Sequence, residues 1–319
     1  MKSIVTYAKQ LQSLFRYTLR YQSTLSSANI KAPIAIGKGN FAAKKLSGCT
    51  LGRSGTQLSS LPPVGYINLG RVSYQKALQL QQQLCRKRID EIYIGTQRAG
   101  RSDRRLSDVL VLLEHPPVYT NGRRNRGRLS SAEIDQLCVF GEYVETNRGG
   151  EITFHGPGQL VAYPIMYLKD HFLGAKCFVK GLENTIIETC ARFGVDADRM
   201  DGFPGVWVSP TQKVAALGTH VQKYVTSHGF ALNCTTDMKW FEQIIPCGLD
   251  GKTATSLQHI LSARTTRIGG KPKMDTSVDA VLPVVVDSFA TVFGCDVQPL
   301  AQLSPVTFAE IQNILSATE

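Results

Sequence analysis

Along the chain, apolar residues fall first into runs and then into helical spacing. Val64–Leu69 reads as a first strand, opening the folded part near Pro62-Pro63. Over 73–93, Ala77, Leu80, Leu84 and Ile92 recur at helical steps behind Ser73 as a cap, predicting a helix. Val109–Leu113 is a continuous apolar run, a buried strand stopped by His115-Pro116-Pro117. A short helix is expected around Ser130–Leu137. A strand-turn-strand unit covers 148–165, its second strand running Leu160–Ile165. Phe178, Leu182, Ile186 and Cys190 stand four apart, predicting a helix over 175–193 that Gly194 ends. Val206–Val208, Lys213–Leu217 and Phe230–Asn233 read as strands, with turns at Ser209-Pro210 and Ser227–Gly229. Trp240–Ile245 is a short helix or loop, and helices follow near Val278–Phe293 and Pro305–Leu315. Strands in the middle with helices around them predict an α/β fold, a mixed sheet flanked by helices.

The first sixty residues break this pattern. They hold nine of the 36 Lys and Arg residues and no Asp or Glu. At 100° per residue, Ile4, Ala8, Leu11, Phe15 and Leu19 gather on one side, with Lys2, Lys9, Arg16 and Arg20 opposite. An acid-free amphipathic start followed by a Ser/Gly/Thr-rich stretch reads as a mitochondrial presequence and linker, the alternative being a basic disordered tail or a membrane-surface helix. The expected division is therefore 1–62 for presequence and linker and 63–319 for one catalytic domain, working in the mitochondrial matrix. The net charge of +11 largely resides in this leader: downstream, 27 basic residues face 25 acidic ones. A near-neutral body argues against a broad nucleic-acid face. No apolar run reaches the ~18 residues of a membrane span. The eight cysteines form no C-x-x-C pair, so no zinc-ribbon or dithiol motif is present, and neither metal nor cofactor is expected.

Four stretches could carry chemistry. Arg148-Gly149-Gly150-Glu151-Ile152-Thr153-Phe154-His155 sets a cation, a glycine pair and a histidine around a turn, which is either a pocket wall or a tight hairpin with a solvated arginine and a satisfied histidine. Lys213 sits at the edge of an otherwise apolar strand, where it is either a partly desolvated acid/base or a snorkelling surface lysine. His228 stands in a turn leading into a strand, and such a lone histidine is more often structural than catalytic. Cys247, between Pro246 and Gly248, is a thiol on a tight turn beside backbone amides, suited to a nucleophile. A cysteine with a lysine partner can run acyl transfer: the lysine takes the thiol proton, the thiolate attacks a thioester, and N–H groups hold the oxyanion.

Taken together, LEHPPVYT (113–120), RGGEITFHGPGQLVAYP (148–164), GVWV (205–208), KVAALGTHV (213–221), SHGFALN (227–233) and PCGL (246–249) resemble the lipoyl(octanoyl) transferase (lipB) family. The resemblance implies the catalytic-domain fold of biotin/lipoate protein ligases. It implies octanoyl transfer from octanoyl-acyl carrier protein to a lysine of lipoyl-carrier domains, those of the glycine-cleavage H protein and 2-oxo-acid dehydrogenase E2 subunits. By motif position Cys247 is the acyl-thioester nucleophile, and Lys213 lowers its pKa and shuttles protons. Arg148–His155, Ala216-Leu217-Gly218 and Gly229-Phe230-Ala231 are the acyl-substrate pocket. The sequence departs from the family's usual pattern in the arginine-rich 95–108 stretch, at Phe154 and at Thr219-His220. An ATP-dependent lipoate or biotin ligase, or a lipoyl amidotransferase, is the alternative on this fold; a ligase has no need of Cys247. A second basic cluster, Arg123, Arg124, Arg126 and Arg128, suits the docking of an acidic carrier protein.

Overall fold

The structure, a computed structural model, describes residues 61–95, 106–244, 251–267 and 274–317. Its elements run β1 (Val64–Arg71), α1 (Tyr74–Gly95), β2 (Val109–Glu114), β3 (Val118–Asn121), α2 (Ser131–Cys138), β4 (Glu142–Glu145), β5 (Thr153–His155), β6 (Gln159–Ile165) and α3 (Ala175–Arg192). Then come β7 (Asp198–Met200), β8 (Phe203–Trp207), β9 (Gln212–Gln222), β10 (Val225–Asn233) and a 3₁₀ turn over Met238–Gln243. The chain finishes with β11 (Thr253–Ala254), α4 (Leu257–Arg267), α5 (Val278–Phe293), β12 (Val297–Pro299), α6 (Leu300–Leu303) and α7 (Pro305–Ser316). None of the described helices is long and apolar enough to cross a membrane.

The apolar runs pair in one mixed nine-stranded sheet, ordered β12-β1-β2-β6-β10-β9-β8-β7, with β11 beside β9. β2 and β6 lie at its centre, which is why their sequences are apolar without a break: both faces are covered. Successive side chains alternate between faces. Leu110, Leu112, Leu160 and Ala162 pack toward Phe178, Leu182 and Ile186 of α3 and Phe289 of α5. Val109, Val111, Leu113 and Val161 pack toward Leu80 and Leu84 of α1 and Ile311 of α7. Truncating Phe178 or Phe289, both fully buried, to alanine would cost about 3–5 kcal/mol. At the other edge of the sheet β1 runs parallel to β12, with Val64 opposite Val297 and Tyr66 opposite Pro299.

A second sheet of three short strands, ordered β4-β3-β5, stands apart from the first. Its core is aromatic. Phe154 stacks on Trp240 at 5.2 Å and 6° and meets Phe241 edge-on at 5.6 Å and Tyr119 at 5.2 Å. α2 closes one side, started by a capping box in which Glu133 N–H donates to Ser130 Oγ and Ser130 N–H to Glu133 Oε2.

One expected turn is a strand. Ser227–Gly229 lies within β10, and the β9–β10 hairpin turns instead at Lys223 and Tyr224, with φ +49° and +67°. Two positive-φ residues between paired Gln222 and Val225 make the tight turn that matches strand twist. Neither is Gly or Asn, so the turn leaves no compositional mark. Gly229 serves close packing: a Cβ there would lie 2.1 Å from Ala162 O.

Candidate active site

A cavity of about 180 Å³ opens between the small sheet and the β6-β10-β9 part of the large one. Its walls bring together Arg148, Gly150–Thr153, His155, Lys213, Ala216–Gly218 and Gly229–Ala231, residues the sequence places in separate motifs. Two others of that set stand apart from its lining. Phe154 is wholly buried in the small sheet's aromatic core. Gly149 docks the loop onto β9, its N–H donating to Thr219 O at 3.1 Å. Gly218 permits that docking, since a Cβ there would lie 2.8 Å from Gly149 O.

Arg148, the cation read as part of a pocket wall, is buried and holds the loop together. Its guanidinium donates to Thr120 Oγ1, to Thr120 O at 2.6 Å, to Glu151 O at 2.8 Å and to Gly149 O at 2.9 Å. The planar fork offers more donors than a lysine ammonium and holds them in fixed directions. It therefore ties β3 of the small sheet to the loop that roofs the cavity.

Lys213 lies on β9 and is only 8% exposed. Its side chain passes Gly205 (φ +129°), where a Cβ would come within 3.1 Å of Lys213 Cε. Its Nζ sits 4.6 Å from the centre of the Trp207 ring. A second lysine, Lys252, also lines the cavity, with Nζ 4.3 Å over Phe203, 5.1 Å from Trp207 and donating to Pro210 O at 2.9 Å. Sequence reasoning missed Lys252; its one signal is its place five residues beyond Cys247. Cys247 lies outside the described residues, as does most of the arginine-rich 95–108 stretch. On either side of that gap, Phe241 and Thr253-Ala254 both line the cavity. β11 is held against the lysine's own strand, with Ala254 opposite Lys213 and Thr255 N–H donating to Lys213 O at 2.9 Å.

The remaining wall is Tyr74, His155, Tyr163 and His228, with His115 packed behind them, a group that burial keeps uncharged. Burial pushes Tyr74 up to about 12 and Tyr163 well above the usual phenol range. It brings His115 down to about 4 and, aided by the Arg148 and His220 charges, His228 down to about 3. His155 is held well below 6.5 by burial first, then by His115 and Arg148. Hydrogen bonds set the tautomers. His115 Nδ1–H donates to Val72 O at 2.7 Å, leaving Nε2 to accept from the Tyr163 hydroxyl at 2.8 Å. The Gln159 amide donates to Phe154 O and Asn233 Oδ1, so its own oxygen accepts from His155 Nδ1–H at 2.7 Å. Asn233 in turn donates to Thr255 O at 2.9 Å. A string of hydrogen bonds thus runs from His155 to the segment paired with Lys213. Among the described residues no group of His, Cys, Asp or Glu converges to hold a metal ion.

Residues 73–290 match the family model of the lipoyl protein ligase A/B catalytic domain. The chain is 40% identical over 230 residues to the mitochondrial octanoyl-(acyl-carrier-protein):protein N-octanoyltransferase of Danio rerio, covering 72% of this chain and 92% of that one. It is 40% identical over 237 residues to the octanoyltransferase of Mycobacterium tuberculosis, covering 72% and 94%. Among solved structures, lipoate-protein ligase A bound with ATP superposes with a TM-score of 0.52 at 12% identity, covering 80% of this chain and 96% of that one. At that identity the likeness speaks for the fold alone.

Proposed function

The chain belongs to the octanoyltransferase family, built on the lipoyl protein ligase A/B catalytic domain, and from that premise we propose that it is an acyltransferase of lipoate assembly. It moves an octanoyl group from octanoyl-acyl carrier protein to a lysine of lipoyl domains, with the glycine-cleavage H protein and 2-oxo-acid dehydrogenase E2 subunits as acceptors. The observation that carries the reading is Lys213: a buried lysine in the same cavity as the Arg148–His155 loop and the two strand segments 216–218 and 229–231.

Lys213 and Cys247 then act as a pair. The Lys213 amine takes the Cys247 thiol proton, and the thiolate adds to the donor's thioester carbonyl. The carrier's thiolate leaves and takes that proton back from the Lys213 ammonium, so octanoyl now rests on Cys247 as a thioester. The neutral amine of the acceptor lysine attacks next, Lys213 accepts the proton released as the amide forms, and the Cys247 thiolate departs. General acid–base help of this kind contributes about 10²–10⁴-fold. Support for Cys247 comes from its flanks, since residues on both sides of the gap that contains it border the cavity.

The loop carrying exposed Arg123 and Arg124 is the docking surface for the acidic donor. Its backbone is bonded to the cavity roof, Arg123 N–H to Arg148 O at 3.0 Å and Arg124 N–H to Gly150 O at 3.2 Å. The mitochondrial names of relatives and the acid-free leader support import to the matrix. A fluorescent protein fused to residues 1–60 should enter mitochondria, and diffuse cytosolic fluorescence would count against it.

The deciding experiment is mass spectrometry after incubation with octanoyl-acyl carrier protein. An octanoyl adduct is expected on the Cys247 peptide, without ATP. Transfer that proceeds with no adduct would remove the covalent step, and a requirement for ATP would return the chain to the ligase reading.

A further inference from the structure

We propose that His228 fixes the length of the acyl chain this enzyme accepts, its ring standing as a stop at the end of the cavity remote from Lys213. The proposal rests on the octanoyl-transfer reading and adds a specificity residue to it.

The backbone explains why His228 is where it is. Phe230 pairs with Ala162, and the Tyr167–Val225 bridge keeps the same register, so His228 falls opposite Pro164. Proline has no N–H to give the ladder. The regular ladder pairing stops at Phe230 and Ala162. His228 takes φ +55°, its N–H donates instead to Gln81 Oε1 of α1 at 2.7 Å, and Thr226 Oγ1–H donates to Pro164 O at 2.7 Å. A residue with a Cβ is held in this conformation only where its surroundings over-determine it, and such residues cluster at ligand sites. Buried Gln81 supplies that constraint here.

The imidazole is 4% exposed and lines the cavity, edge-on to Tyr163 at 6.3 Å and 88°. Its Nδ1 is buried with no hydrogen-bond partner among the described residues. That atom is closed off from solvent, and it is the ring as a whole that borders the cavity. Across the β9–β10 ladder His228 faces Thr219, six residues along β9 from Lys213. An acyl group attached near Lys213 therefore turns its methyl end, not its carbonyl, toward His228. Along the way the chain meets the apolar wall of Ile152, Val161, Leu217 and Ala231, where each methylene gains from burial. Past that wall, further methylenes run into the imidazole ring itself, and forcing extra methylenes into filled space costs more than burying them gains.

The test uses the full-length protein and acyl-carrier-protein thioesters of six to twelve carbons. For the unaltered enzyme kcat/KM should fall on the order of tenfold from octanoyl to decanoyl. H228G keeps the left-handed backbone accessible and removes the ring; the decanoyl-to-octanoyl ratio should rise about tenfold. H228N, whose smaller side chain also tolerates that backbone, should move the ratio the same way and covers the case of a poorly folding glycine variant. Parallel loss on both substrates with an unchanged ratio would make His228 merely structural and overturn the proposal, as would an unaltered enzyme that transfers decanoyl as well as octanoyl. An enzyme that transfers no acyl group from the carrier would defeat the reaction itself, a result distinct from an unmoved ratio.

Discussion

The two sheets differ in what holds them and in what they contribute. The large sheet is held by apolar layers on both faces, and it presents Lys213 on an inner strand. The small sheet has three strands of three or four residues, too short to be stable alone. An aromatic cluster and one guanidinium hold it, and it supplies the roof. The proposed acid/base sits on the layer packed on both faces, while the roof comes from the layer that depends on a few specific contacts. The cavity exists only where the two meet.

That division can be broken experimentally. The largest effect is expected from Lys213→Ala: a fall of about 10²–10⁴-fold in kcat with the thermal midpoint nearly unchanged. A large loss of stability would show that the lysine holds the fold instead. Arg148→Met should do the opposite. It leaves the carbonyls of Thr120, Gly149 and Glu151 without their shared donor, at on the order of 3 kcal/mol. Calorimetry should show a midpoint lower by roughly 6–12 °C, with KM rising more than kcat falls. An activity defect without destabilisation would place Arg148 in contact with substrate.

Acid should act on the histidine wall between the sheets. His115 and His228 are held at about 4 and about 3, and His155 well below 6.5. The unfolded chain binds these protons near pH 6.5 and the folded one does not. Stability is therefore full above about pH 6.5 and declines as pH falls toward 4, by up to about 1.4 kcal/mol per pH unit for each histidine. Denaturant midpoints between pH 7.5 and 4.5 would show this slope. H228N should make it shallower, and an unaltered slope would mean that His228 does not contribute. The smallest effect belongs to the exposed loop: R123E combined with R124E should raise KM for the acyl carrier protein several-fold, with Tm unchanged and a weaker salt dependence.

The same contrast governs what the sequence makes legible. β2 and β6 are read directly, because strands covered on both faces must be apolar throughout. α1, α3 and α5 are read from their spacing. β3 is hidden behind Pro116-Pro117, and its four residues Val118–Asn121 carry no alternation long enough to see. Of the site, Lys213 and the 148–155 loop are visible as motifs. The burial of Arg148 is not, because the carbonyls that claim it come from segments far apart in sequence as well as from its neighbours. Tyr74, Tyr163 and Gln159 read as ordinary helix and strand residues. Their place in the site depends on the crossing of α1, β5 and β6, which spacing cannot supply. His228 misleads in a different way: beside Gly229 it looks like a turn, and the cause of its backbone is Pro164, sixty-four residues upstream.

The pairing of β1 with β12 bears on how the chain comes to be folded at all. Val64 must wait for Val297, so the first strand and its neighbour are made 233 residues apart. While the rest of the sheet forms, β1 keeps that edge unsatisfied until residues 297–299 are in place. An unpaired strand edge is a template for association with other chains. The protein is therefore most exposed to aggregation when the rest of the sheet has formed and the closing strand has not. A chain ending before Val297 would carry that open edge for as long as it lived.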